Sequence, residues 1–341
     1  MRRIAWIDHA KGLCIVLVVM LYAVEMAEHA AGEEGWLRHF VSFAKPFRMP
    51  DFFLLSGLLL SFSIAQDWRT YLDRKVFHFA YFYVLWLAIL VAFESPWIAA
   101  KAGWAGVGEL YLESLVRPYS LLWFIYLLPV FFLATRLMRR ASAVLVWLLA
   151  ATLQAAQLDT GFKVFDRFAM YYVFFYTGYA AAPLIFDLAE RVRARPALAL
   201  AGLGAWALLD AWLVLAGHAG LPVVSLALAL LGAAAVVAIA ALLCARPAAA
   251  PLAHCGRHSL AIYLAFFVPL TLTHKLIVKA GWISDPGWTA LIATAGGIAG
   301  ALALDRATKD TRLDFLFKRP SRLRISPARA RVTASPAMAA D

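Results

Sequence analysis

The sequence predicts an all-α protein: a polytopic transmembrane bundle of about ten helices with both ends in the cytoplasm. Three observations carry this reading. Apolar residues fill 63% of the 341 positions, well above the roughly 45–50% of a soluble domain. They gather into runs of about 20, the length a helix needs to cross a hydrocarbon core. Lysine and arginine collect in every second connection between those runs, the asymmetry that orients membrane helices. No segment repeats the two-residue alternation of a transmembrane barrel strand.

In chain order the expected spans are 12–30, 47–65, 76–94, 120–138, 141–158, 168–186, 197–217, 222–245, 257–279 and 288–306. The inside connections hold Arg2, Arg3 and Lys11, then Arg69, Arg74 and Lys75, then Arg136, Arg139 and Arg140. Arg191, Arg193 and Arg195 follow, then Arg246 and Arg257, and finally the basic stretch from Arg306 onward. The outside connections mix their cations with Glu33, Glu34, Glu109, Glu113, Asp159, Asp166 and Asp285. The chain therefore reads as one transmembrane domain, 1–317, followed by a basic cytoplasmic tail, 318–341. Arg, Ser, Pro and Ala dominate that tail and leave too little apolar surface to fold.

Several classes are set aside at this stage. A cleavable signal peptide is rejected because Asp8 sits in the basic region and Glu25 near the end of the first apolar run. The net charge of +11 does not imply nucleic acid, since the basic residues lie in short loops and in a tail suited to anionic lipid. Cys14, Cys244 and Cys255 have no metal-ligand spacing and read as small apolar fillers rather than a disulfide framework. No metal and no tightly bound cofactor are expected. His254, His258 and His274 flank the ninth span without ligand spacing and are expected at interfaces.

Polar groups inside a span are costly and mark function or pairing. On the first helix Asp8, Lys11, Tyr22, Glu25 and His29 follow one stripe. Lys11 and Tyr22 lie eleven residues apart, three turns and about 16 Å along the axis. One face thus runs from a cation at the cytoplasmic surface to polar groups deeper in the membrane. At the expected outer end of the second span, Arg48 stands between Pro46 and Pro50, an arrangement suited to clamping an oxyanion or carboxylate. Asp51 follows at i+3, within pairing range. At the inner start of the third span, Lys75 and His78 share a face with Arg74 beside them, a cluster able to hold a nucleotide phosphate. Gly178 in the sixth span permits close helix approach.

These residues resemble the membrane acyltransferase family 3, over nearly the whole hydrophobic chain. The resemblance rests on Ile7-Asp8-His9-Ala10-Lys11-Gly12, on the block from Phe47-Arg48-Met49-Pro50 to Ser56-Gly57, and on the basic start of the third span. Softer matches are Leu122 to Tyr126, Phe174 to Gly178 and Ser259 to Leu264. The resemblance implies transfer of an acyl group from cytoplasmic acyl-CoA, acetyl-CoA in the first instance, to an acceptor on the outer side of a bacterial inner membrane. By position, Lys11 matches the basic residue eleven before a helix-one histidine, and Arg48 matches an arginine or histidine of the second motif. Lys75 and His78 stand where an Arg-x-x-Arg pair near the donor is usual.

Two positions depart from that pattern. Tyr22 occupies the helix-one histidine position, and Phe266 a histidine position after the late Ile-Tyr-Leu motif. An unperturbed tyrosine is about 0.1% ionised at pH 7, a poor general base beside histidine. The leading expectation is O-acyl transfer to a hydroxyl of a glycan or lipid-linked sugar. Tyr22, Glu25 and Arg48 would carry the chemistry, and Lys11, Arg74, Lys75 and His78 would hold the donor. The second is a catalytically inactive relative that binds or carries a lipid or an acylated molecule. A secondary transporter comes third, for want of paired broken helices in two halves.

Overall fold

The computed structural model describes residues 4–281 and 283–325. Regular structure among the described residues is entirely helical, as the sequence predicts. The chain runs α1 (Ala5–Ala31), α2 (Leu37–Ser61), α3 (Trp68–Leu72), a π-helical turn (Asp73–Phe77), α4 (His78–Ser114) and α5 (Trp123–Leu137). It continues as α6 (Ala143–Ala155), α7 (Lys163–Ala180), α8 (Ala182–Ala194), α9 (Pro196–Leu215) and α10 (Pro222–Leu243). It ends with α11 (Ala250–Arg257), α12 (Ser259–Ala265), α13 (Phe267–Ala280) and α14 (Pro286–Thr308).

Every expected span overlaps helix, but 168–186 runs over α7 and α8 and 257–279 over α12 and α13, so the spans are not equivalent. Among the described residues, six helices are long and apolar enough to cross a membrane alone. The bent pairs α7–α8, at 72°, and α12–α13, at 57°, raise the number to eight if each is one span. Two of the expected ten do not qualify by length and composition. α2 carries Arg38, Lys45, Arg48 and Asp51 along its length, and α6 has 13 residues, roughly 20 Å. α4 departs in the other direction. Its 37 residues would extend about 55 Å, nearly twice a hydrocarbon core of about 30 Å. The backbone turns at Gly103, where φ is 70°, and the stretch beyond residue 94 leaves Trp97 and Trp104 exposed.

α1 is the central helix, with α2, α10, α11, α12, α13 and α14 packed around it. Missing side chains set two of the closest approaches. A Cβ on Gly12 would overlap the Leu252 carbonyl, and one on Gly256 would overlap the Asp8 carbonyl, so α1 and α11 touch backbone to backbone. Gly57 and Gly178 do the same for α2 and α7 against the Phe175 and Leu54 carbonyls. Small residues allow such contact where lipid supplies no hydrophobic drive between helices.

The start of α1 and the segment after α14 lie at the same end of the bundle. His258, opening α12, binds Asp305 of α14 at 2.7 Å, and Lys11 and Lys75 share one cavity there. One residue of the stretch expected as tail is built into the bundle. Arg319 is only 5% exposed and pairs with Asp73, because a carboxylate neutralises it inside the fold. Residues 326–341 of the expected tail, and Arg2 and Arg3, lie outside the described residues.

Candidate functional site

The site is organised by α2, which begins at Leu37 rather than near residue 47. His39, Lys45 and Pro46 break the apolar run there, yet the helix continues through them. Arg48 is therefore not at the outer end of the span. It lies near mid-helix, about 16 Å from the first residue by the helical rise, and is 6% exposed. Its Nη1 donates to the Val41 carbonyl at 3.3 Å, and its Nε has no hydrogen-bond partner. The expected pairing with Asp51 is not formed. Both Asp51 carboxylate oxygens are buried without a partner, and that side chain turns toward Cys14 of α1.

Two cavities flank this stretch of α2. The inner one, about 200 Å³, is lined by Lys11, Lys75, Ser56 and Ser259 together with Phe52, Phe124, Phe132 and Tyr263. Lys75 Nζ stands 4.8 Å from the centre of the Phe132 ring, and the Tyr263 hydroxyl donates to the Leu121 carbonyl. The outer one, about 740 Å³, is lined by Arg48, Lys45, Ser42, Gln154, Gln157, Tyr171 and Ser225. Gln154 Nε2 donates to Ser225 Oγ at 3.0 Å while its Oε1 is unpartnered. Gln157 Nε2 donates to the Gly220 carbonyl at 2.7 Å. Arg48 lines the outer cavity and Phe52 the inner; four residues of helix, about 6 Å, separate them.

The remaining expected residues divide between these regions. Tyr22 lies half-buried with Arg48, Arg167 and Glu25 as its charged neighbours and Trp123 beside it. Glu25 is exposed one turn further out. Lys11 and Lys75, 64 positions apart in the chain, meet at the inner cavity. Arg74 is exposed outside it, and His78 packs edge-on against Phe82 at 5.0 Å. The expected triad of cations on one helix start is thus a pair of lysines from two helices.

The sequence reading missed Arg167. Its guanidinium lies 4.5 Å from the Trp123 ring centre, Tyr22 and Tyr171 are among its neighbours, and its Nη1 is buried without a partner. In the sequence, Asp166-Arg167 looked like the polar flank of a span starting at 168; the helix in fact begins at Lys163. Gln154 and Gln157 had no signal at all, since each matters only through neighbours distant in sequence, while Tyr263 was visible only as part of the Ser259 to Leu264 match.

The acyltransferase-3 family model, described as an acyltransferase domain, matches residues 4–306. The chain belongs to this family. It is also 27% identical over 161 residues to the inner membrane protein YcfT of Escherichia coli (strain K12), covering 40% of this chain and 44% of YcfT. Against the nodulation protein NolL of Sinorhizobium fredii (strain NBRC 101917 / NGR234) it is 25% identical over 186 residues, 54% of this chain and 50% of NolL. The chain thus spans about half the length of the curated relatives it matches. No solved structure matches.

In this acyltransferase-3 chain the two positions where the sequence resemblance leads one to expect histidine are neighbours in space. The Tyr22 and Phe266 rings lie 5.4 Å apart, tilted at 50°. The two departures therefore form one aromatic contact, beside the Arg48 and Arg167 guanidinium groups that face Tyr22.

Proposed function

We propose that this membrane protein transfers an acyl group from an acyl-CoA in the inner cavity to a hydroxyl of a glycan or lipid-linked sugar in the outer one. The observation that carries this reading is the pair of cavities meeting across a single turn of α2. The inner cavity offers what an acyl-CoA needs: two ammonium groups for phosphates and an aromatic, dry slot for the acyl-thioester arm. The outer offers hydrogen-bonding amides, hydroxyls and cations around a volume that holds a sugar.

In this reading Lys11 and Lys75 hold the donor. Arg74 is exposed, and assists from the surface, while His78 sets the packing of the helix start. Arg48 stabilises the negative charge that develops on the thioester oxygen, with its unpaired Nε as the donor. Arg167 adds a second guanidinium on the same side. Attack by the acceptor hydroxyl forms the new ester and expels the CoA thiolate, and the hydroxyl proton must leave toward a base. Tyr22 and Glu25 are the candidates for that base. A bacterial cytoplasmic membrane, with the donor on the cytoplasmic side, is the setting in which this works.

The test is turnover of radiolabelled acetyl-CoA by purified protein, wild type against Arg48→Ala. Loss of transfer and hydrolysis in the variant is expected; unchanged turnover removes Arg48 from the chemistry. One observation favours a second reading, a binder or carrier of an acylated molecule that lacks catalysis. Neither cavity has a histidine among its described lining residues. Under that reading acetyl-CoA binds without turnover, and activity arises only in Tyr22→His.

A further inference from the structure

The segment that follows α14 lies beyond the residues matched by the family model, which end at 306, yet it is tied into the bundle along one line. It packs on α4 and on the π-helical turn that precedes it. Tyr81 Oη donates to the Phe315 carbonyl at 2.9 Å, and Trp86 Nε1 to the Leu316 carbonyl at 2.9 Å. The Phe317 and Trp86 rings lie 5.4 Å apart. Arg319 then reaches the first residue of the π-helical turn twice: Nη1 donates to the Asp73 main-chain carbonyl at 2.9 Å, and Nη2 pairs with the Asp73 carboxylate. The Ile325 main-chain N–H closes the site on Asp73 Oδ1 at 2.9 Å.

Asp73 and Arg319 are 4% and 5% exposed. A buried ion pair of this kind contributes little net stability, but it fixes geometry and is costly to break from one side. What it fixes is a turn of irregular pitch. π-helical turns are rare and cluster at functional sites, because the extra residue re-aims the side chains beyond it. Here the turn contains Lys75, which lines the inner cavity two residues after Asp73. Arg319 is not among the residues that line either cavity.

We propose that Arg319, through Asp73, is a positioning residue for donor recognition: the strap it anchors holds the π-helical turn in the register that aims Lys75 into the inner cavity. This rests on the reading above that Lys75 binds the donor. The strap is thus a C-terminal brace on the cytoplasmic site, in a segment whose composition alone suggested a tail.

The test uses full-length protein in detergent and two readouts. Hydrogen exchange over residues 68–82 reports the brace without any substrate, and acetyl-CoA KM and kcat report its consequence. Arg319→Gln is expected to accelerate exchange across the turn and raise KM about tenfold while kcat changes less than about twofold. Arg319→Lys, which keeps the charge but not the fork, should fall between. The exchanged pair Asp73→Arg with Arg319→Asp covers the case in which Arg319→Gln fails to fold, and it should recover part of the lost affinity. Unchanged exchange in a folded Arg319→Gln overturns the brace. Faster exchange with unchanged KM overturns the positioning role. Lys75→Gln run alongside identifies the fault: if it leaves KM unaltered, the donor reading of Lys75 fails, and the positioning role falls with it while the exchange result stands.

Discussion

The inner and outer cavities border successive stretches of α2, 52–59 and 42–50, and differ in size and in the polar groups they carry. The inner has about 200 Å³ walled largely by aromatic and aliphatic side chains with two lysines; the outer has about 740 Å³ in which two glutamines, two serines, Lys45 and Arg48 stand among apolar residues such as Met49, Met170 and Phe174. The contrast teaches how a single helix can serve two substrates. A narrow apolar slot selects an extended acyl chain by fit and desolvation, while a broad polar chamber selects a hydrated molecule by hydrogen bonds. Arg48 stands at the boundary, and its side chain belongs to the outer chamber.

The largest expected effect tests that boundary. Arg48→Ala should lower kcat by about 100- to 1,000-fold, the range seen when one oxyanion donor is removed, with acetyl-CoA binding retained. Calorimetric titration beside a turnover assay checks both halves; loss of donor binding would merge the two cavities into one site. Next, the double variant Lys11→Gln with Lys75→Gln should raise the acyl-CoA KM about tenfold or more with a smaller change in kcat, since charge-assisted contacts to phosphate are lost. Equal weakening of acceptor and donor would break the division of labour. Smaller still, Leu59 also lines the inner slot, and Leu59→Ala should shift preference toward longer acyl chains by about 0.8 kcal/mol per methylene accommodated, read from competition between acyl-CoAs of different length. Smallest, Gln154→Leu removes an amide from the outer chamber and should cost about 1 kcal/mol of acceptor affinity with the acyl-chain preference unchanged.

The two cavities were also unequally legible in the sequence. Lys11 and Lys75 stood out because a cation at the inner edge of an apolar helix is visible as a break in composition. That they meet was not visible, since the contact depends on α1 and the π-helical turn packing around a shared space. Arg48 was visible as an arginine between prolines, but its depth was misread. The polar residues of the first turns of α2 looked like a loop, and only burial against α7, α9 and α10 makes that stretch helical. Gln154 and Gln157 carried no signal because a glutamine at the end of an apolar helix is ordinary on a surface. Arg319 was hidden for the opposite reason. It lies in a segment rich in charge and proline, and its single carboxylate partner is 246 positions away.

The central claim is that donor and acceptor, held at successive levels of α2, reach each other from opposite sides of the membrane. Proteoliposomes loaded with radiolabelled acetyl-CoA, with membrane-impermeant oligosaccharides supplied only outside, test it directly. The account predicts labelled oligosaccharide in the external medium from wild-type protein and none from Arg48→Ala. Labelled product that forms only when donor and oligosaccharide share a compartment would contradict it.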